Sequence, residues 1–107
     1  MSNREEKMKE ILHDMGARFL SINGNKSSLL TVTNVGLTRD EKHATIFFTV
    51  FPTNFEKTAL EFAKRKRSQF KEFIKENSKL GRTPQVDFEI DQGEKNRQKI
   101  DNLLNQS

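Results

Sequence analysis

Apolar residues near the start of the chain recur at three- and four-residue steps: Met8, Ile11, Leu12, Met15 and Phe19. That spacing gathers them on one stripe of a helix and predicts a helix over Asn3 to Leu20. Ser2 or Asn3 can cap it, and Glu5 and Glu6 fall in the first turn, where the helix dipole favours negative charge. Gly16 is a weak helix former inside the run, and Asn23-Gly24-Asn25 supplies a stop and a turn. The period then changes from 3.6 to two. Leu29 to Leu37, with β-branched Thr31, Val32, Thr33 and Val35, predicts a first strand. The polar run Thr38 to Lys42 has hairpin length, and His43 to Phe51 predicts a second strand. Ala44, Ile46, Phe48 and Val50 share one face of it; Thr45, Phe47, Thr49 and Phe51 share the other. Pro52 cannot donate to a ladder and ends the strand. Phe47 and Phe51, on the less covered face, could stack on bases or meet a partner, but packing in the core or under a terminal helix is the favoured expectation.

From Thr53 or Asn54 to about Lys79 the pattern is again helical, with Ala59, Leu60 and Ala63 followed by Phe70, Phe73 and Ile74. Carrying one 3.6 period across the gap would demand apolar residues near positions 66 and 67, where the chain has Lys66 and Arg67. Two charges in a core stripe are costly. The pattern therefore predicts two helices, or one kinked helix, with a basic cluster at the joint. Leu80 to Pro84 reads as an exit loop, with Gly81 suited to a helix C-terminus. Gln85 to Asp91 predicts a third strand, with Val86, Phe88 and Ile90 inward and Asp87, Glu89 and Asp91 outward. Asp91-Gln92-Gly93 is expected to turn. Residues 93–107, with Ile100, Leu103 and Leu104, are expected to form a short helix or a flexible tail beyond a domain spanning residues 1–92. The order α-β-β-α-(kink)-α-β predicts an α+β two-layer sandwich: a three-stranded sheet with helices on one face.

A chain of 107 residues is expected to hold one domain. It has no cysteine, hence no disulfide framework and no thiolate metal site. No apolar run reaches the ~20 residues of a membrane span, and the charged N-terminus does not read as a secretory signal, so a cytoplasmic, non-membrane protein is expected. Charge is the informative quantity. The segment Glu56–Arg82 carries nine basic side chains against four acidic ones, a net +5, while the remainder carries ten against eleven, a net −1. Such segregation is the footprint of a polyanion-binding surface. All nine aromatic residues are Phe, and most are expected in the core, which disfavours base stacking as the main binding mode.

The segment LLTVTNVGLTRDEKHATIFFTVF resembles the hairpin signature of the ribosome-binding factor A family, with Thr31, Val32, Thr33, Val35, Leu37, Thr38, Asp40, Ala44, Ile46, Phe47, Phe48 and Thr49 in the matching positions. Pro84, Val86, Phe88 and Asp91 resemble that family's third strand; Ile100, Leu103 and Leu104 resemble its closing segment; Arg4, Lys7 and Met8 resemble its opening helix. The resemblance spans nearly the whole chain and implies a type II KH-like domain whose interhelical GxxG loop is replaced by a helix–kink–helix. It also implies a non-catalytic assembly factor that binds the small ribosomal subunit and its 16S rRNA precursor during late maturation. It would act as a monomer without cofactors, with a release GTPase as a further partner. Two departures stand out. The family's small-residue kink element falls near Lys66-Arg67-Ser68, which contains no Ala or Gly, unless another register sets Ala63 at its Ala, and Gly81 stands where the family often has Arg before the third strand.

The expected RNA contacts are Lys57, Lys64, Arg65, Lys66, Arg67, Lys71, Lys75, Lys79 and Arg82, held as one cationic wall, with Arg39 and Lys42 of the first hairpin as a second patch. Against this stands the plainer reading of a solvated, salt-bridged helix face. Contacts of this kind meet phosphates, so they position RNA and leave its shape to confer recognition. Asp40 is expected to cap its turn. Asp87, Glu89 and Asp91 could suggest a metal or acid–base site, but strand alternation alone produces that spacing, and pairing with Lys or Arg of a neighbouring element accounts for it better. His13 and His43 lie on different elements without metal-ligand spacing, and no catalytic triad, P-loop or dinucleotide fingerprint is present. The rival reading is a small protein-interaction domain that docks through its Phe-bearing sheet face or C-terminal segment.

Overall fold

The buried face of the sheet is set by the strict alternation in the second strand, where every second residue from Ala44 to Val50 is buried and the intervening ones are not. The computed structural model describes residues 3–24 and 27–97. Its elements are α1 (Asn3–Asn23), β1 (Leu29–Leu37), β2 (His43–Phe51), a single 3-10 turn (Thr53–Phe55), α2 (Glu56–Arg65), α3 (Arg67–Asn77) and β3 (Gln85–Ile90). Residues 92–97 are helical. The sheet order is β1-β2-β3, with β1 antiparallel and β3 parallel to β2. This is the expected α+β sandwich of KH-like type, with the helical break where the phase defect placed it.

The core joins the two layers through phenylalanines. Phe19 of α1 meets Phe70 of α3 with ring centroids 5.0 Å apart, Phe70 meets Phe88 of β3 at 5.0 Å, and Phe88 meets Phe48 of β2 edge-on at 6.2 Å. Phe48, Phe70 and Phe88 are fully enclosed, as are Leu12, Ile46, Ile74 and Pro84. Gly16 has a packing role: a Cβ there would stand 3.0 Å from Cγ2 of Ile46, so the glycine lets α1 cross close over the sheet.

Element ends differ from the sequence expectation in instructive places. α1 runs one turn further, to Asn23, and stops at Gly24, where a Cβ would lie 2.6 Å from the Leu20 carbonyl oxygen. α3 stops at Asn77, earlier than Lys79. The Asn77 side chain donates to the Phe73 carbonyl at 2.9 Å and the Ser78 hydroxyl to the Ile74 carbonyl at 2.7 Å, so Gly81 is not the cap. Asp91 follows β3 as the N-cap of the helical residues 92–97: its Oδ1 accepts the Glu94 N–H at 3.0 Å, and its Oδ2 accepts the Thr33 hydroxyl at 2.5 Å across β2. The expected tail residues Ile100, Leu103 and Leu104, and the alternative cap Ser2, lie outside the described residues.

The second sheet face is open. Phe47 is half-buried over Gly36, where a Cβ would meet its ring at 3.3 Å. Phe51, expected to be covered, is 72% exposed and pairs across the strands with the equally bare Leu29. This is a correction: among the described residues no element covers the outward side of the end of β2.

Candidate nucleic-acid interface

Ala59 and Ala63 bury one side of α2, and Phe70 and Ile74 bury one side of α3. The chain resolves the conflict between them at one residue. Lys66 leaves the helical region for φ −96°, ψ 9°, the bridge conformation typical of a tight turn. Its N–H still donates to the Phe62 and Ala63 carbonyls at 3.2 and 3.1 Å, and its own carbonyl accepts the Phe70 N–H at 2.9 Å. Arg67 Nε donates to the Lys64 carbonyl at 3.0 Å and so satisfies an orphan acceptor at the end of α2. Lys66 Nζ sits 5.7 Å from the centre of the Phe62 ring, within cation–π range. The break turns Lys66 and Arg67 away from the core, and no described charged side chain is buried.

The nine cations of this segment do not form one wall. Lys64 Nζ donates to Asp87 Oδ1 at 3.1 Å and to Glu89 Oε2 at 2.9 Å, and Arg67 Nη1 donates to the same Asp87 oxygen at 3.2 Å. The outward carboxylates of β3 therefore hold two of the predicted RNA contacts at the sheet edge. The Glu89 hydrogen bond raises the Lys64 pKa, against partial burial and with help from Asp87. Partial burial pushes the Asp87 carboxyl up, but the hydrogen bonds from Lys64 and the Phe88 N–H, with the nearby charges, outweigh it and leave the pKa lowered. Lys75 lies 3.5 Å from Glu72 on the same helix face. Lys57, Arg65, Lys66, Lys71, Lys79 and Arg82 have no carboxylate partner among the described residues.

These unpaired cations occupy distinct places. Arg65 stands at a groove of about 240 Å³ between α2 and the start of β1, floored by Leu30, Phe55 and Phe62. Lys71 lines a polar hollow beside His43, Ser68 and Gln85. Lys79 and Arg82 stand with Arg4 and Lys7 of α1. Arg39 and Lys42 are exposed on the hairpin, whose turn is built by Asp40: its Oδ1 accepts the Thr38 hydroxyl at 2.6 Å and the Lys42 N–H at 3.0 Å. Those hydrogen bonds lower the Asp40 pKa. The hairpin end lies against α1 through Arg4 and Glu41, 3.4 Å apart, and against β3 through the Lys42 carbonyl and the Gln85 N–H. Arg39, Lys42, Lys79 and Arg82 thus lie at one end of the molecule. Arg4 and Lys7 join them there, which linear charge counting did not show. The signal available was topological, since an α1 that returns over the sheet brings its first turn to the end of α3. His13 and His43 are exposed and apart. Among the described residues no cluster of His, Asp or Glu could hold a metal ion, and no helix is long and apolar enough to cross a membrane.

A sequence model of ribosome-binding factor A matches residues 3–104 of the chain. The chain belongs to the ribosome-binding factor A family. A ribosome-binding factor A of Clavibacter michiganensis subsp. michiganensis is 31% identical over 107 residues, covering 97% of this chain and 64% of the relative. One of Neisseria meningitidis is 28% identical over 67 residues, covering 63% of this chain and 54% of the relative. The chain therefore spans about half to two thirds of the length of these curated relatives. The crystal structure of ribosome-binding factor A from Thermus thermophilus superposes with a TM-score of 0.69 at 20% identity, covering 79% of this chain and 93% of that one. A homology model of the Thermus thermophilus factor, fitted into a cryo-electron-microscopy map of its complex with the 30S subunit, gives a TM-score of 0.65 at 21% identity, covering 84% of this chain and 93% of that one. Likeness at this identity establishes the shared fold.

Proposed function

We propose that this chain binds the small ribosomal subunit through its 16S rRNA during late maturation, as a non-catalytic assembly factor. Membership of the ribosome-binding factor A family and the 30S complex of its Thermus thermophilus relative support the choice of partner. The observation that carries the RNA reading is the break between α2 and α3, where exposed Arg65 and half-buried Lys66, with half-buried Lys71 one turn further along α3, have no carboxylate partner among the described residues. Such groups meet phosphates and gain affinity by releasing counterions. No base-reading constellation accompanies them, so recognition rests on RNA shape. The factor acts as a cytoplasmic monomer on this reading, with a release GTPase as a partner that the family implies. Lys57, Lys75, Lys79, Arg82, Arg39 and Lys42 extend the contact. Lys64 and Arg67 contribute less than linear charge counting suggests, because β3 already engages them.

The test is sedimentation of the protein with small-subunit precursors at graded salt. Changing Arg65, Lys66 and Lys71 together to Gln should weaken co-sedimentation about tenfold or more at moderate salt and flatten its salt dependence, with an unchanged far-UV circular dichroism spectrum. Undiminished binding by that variant rejects the site. The rival reading, protein docking, draws on the exposed Leu29–Phe51 pair; it predicts association that survives nuclease and tolerates salt.

A further inference from the structure

A groove of about 410 Å³ opens between the first turns of α1 and the loop that joins α3 to β3. Its floor is apolar, made by Met8, Ile11 and Leu80, while its rim carries Arg4, Lys7, Lys79 and Arg82. Lys7, Lys79 and Arg82 have no carboxylate partner among the described residues, and Arg4 is 75% exposed beside Glu41. A plain phosphate contact explains the rim and leaves the floor unexplained. An apolar ligand explains the floor and leaves three cations unexplained. One unpaired nucleotide satisfies both, since it joins a flat apolar base to an anionic phosphate, and its size fits a site of this volume. The floor offers no hydrogen-bonding side chain with which to read base identity. The rim offers two guanidinium planes, from Arg4 and Arg82, of the kind that stack on a splayed base. Strand addition is not open to a peptide here, since neither wall is a strand edge, and an acidic helix laid in the groove is the rival that peptide competition tests.

We infer that this groove holds a single unpaired nucleotide of bound RNA, with its base on Met8, Ile11 and Leu80 and its phosphates on Lys7, Lys79 and Arg82. The inference rests on the RNA-binding reading above and adds to it a second, base-dependent contact away from the helical joint. The site tolerates any base and selects RNA that is single-stranded or bulged at this point.

Gly81 lines the groove, has no positive φ, and a Cβ there would meet nothing within 4 Å. Gly81→Leu therefore adds bulk in open space at the groove without strain and without changing charge. The probes are a fluorescein-labelled eight-nucleotide oligouridine and an abasic ribose–phosphate strand of equal length, with binding followed by anisotropy. The native chain should bind the oligouridine about fivefold more tightly, the low end for one base packed without an aromatic partner. Gly81→Leu should abolish that difference and keep the salt dependence. Lys7→Gln with Lys79→Gln and Arg82→Gln should weaken both strands and reduce the salt slope. The joint variant, Arg65, Lys66 and Lys71 to Gln, should weaken both strands yet keep the base preference. A native chain with no preference, including one that binds neither strand, overturns the inference, as does Gly81→Leu that retains the preference. Competition by a Leu-containing oligoglutamate peptide that Gly81→Leu abolishes also overturns it and assigns the groove to protein. Co-sedimentation with small-subunit precursors is read separately, so the groove can fail while the RNA reading stands.

Discussion

Replacing Asp87 by Asn and Glu89 by Gln should make RNA binding stronger and more sensitive to salt. The two carboxylates hold Lys64 at 3.1 and 2.9 Å and Arg67 at 3.2 Å. Without them both cations are free to meet phosphates. Each phosphate neutralised adds about −0.7 to −0.9 to the slope of log affinity against log salt, so two add up to about −1.8. Between 100 and 200 mM salt the double variant should then lose up to about 3.5-fold more affinity than the native chain does. The cost in stability is small. The Lys64 and Asp87 side chains remain 33% and 37% exposed, and ion pairs with that much solvent contact contribute about 1 kcal/mol or less, a shift of a few degrees in Tm. The assay is filter binding of 16S rRNA or sedimentation with small-subunit precursors across a salt series. A companion variant, Glu6→Gln with Glu10→Gln, adds the same net charge on the exposed face of α1 and controls for long-range attraction. If the β3 variant runs parallel to the native chain, or no steeper than the α1 control, Lys64 and Arg67 do not reach phosphate and the proposed interface must exclude them.

Three further outcomes follow from the packing and the carboxylates. Gly16→Val should destabilise the fold by about 1–3 kcal/mol, because its branches enter the space where Ile46 already lies 3.0 Å from a Cβ; urea unfolding measures it, and an unchanged midpoint refutes the close crossing of α1. Phe70→Ala should cost about 3–5 kcal/mol by leaving a cavity between Phe19 and Phe88, read from the same titration. Asp87 and Asp91 both have lowered pKa values, Asp91 through the Glu94 N–H and then the Thr33 hydroxyl. A carboxyl whose folded pKa lies below its unfolded value of about 3.9 stabilises the fold above that pH and loses the contribution as pH falls through the folded value. Stability should therefore decline below about pH 4, and Asp91→Asn, which keeps a competent cap, should make the decline shallower.

How much the sequence disclosed depended on whether a feature was local. The strands were legible because alternation is a local property: Leu29–Leu37 and His43–Phe51 have the expected bounds. The break at Lys66 was legible because burying Lys66 and Arg67 in a continued helix would be costly, and a chain avoids that cost wherever its backbone can turn. Gly16 was misleading as a propensity signal, since its value lies in a contact with Ile46 thirty residues on. The single cationic wall was an error of the same kind. A helical wheel places Lys64 and Lys71 on one flank only if the helix is continuous and no acid faces it, yet Asp87 and Glu89 approach from another element. Their pairing with a neighbouring Lys or Arg was foreseen, but not which cations it would remove. The gathering of Arg4 and Lys7 with Lys79 and Arg82 depends on the path of α1 over the sheet, which no charge count contains.

The acidic edge of β3 also shapes what the joint can do. Four successive cations, Lys64 to Arg67, would repel one another at a turn with little freedom to separate them. Asp87 and Glu89 relieve that repulsion on the side where α2 meets the sheet, drawing Lys64 and Arg67 inward, while Arg65 lies toward the groove at the start of β1 and Lys66 over Phe62. With Lys64 and Arg67 held against Asp87 and Glu89, these four side chains give the β3 edge no net charge, and the proposed RNA contact falls to the cations on the helical side. On that reading, attraction confined to one surface beside a neutral one orients a polyanion more sharply than attraction spread over both. A uniform basic wall would bind RNA in many poses. A wall interrupted by neutralised pairs admits fewer, which is the restriction that the proposed shape-directed binding requires.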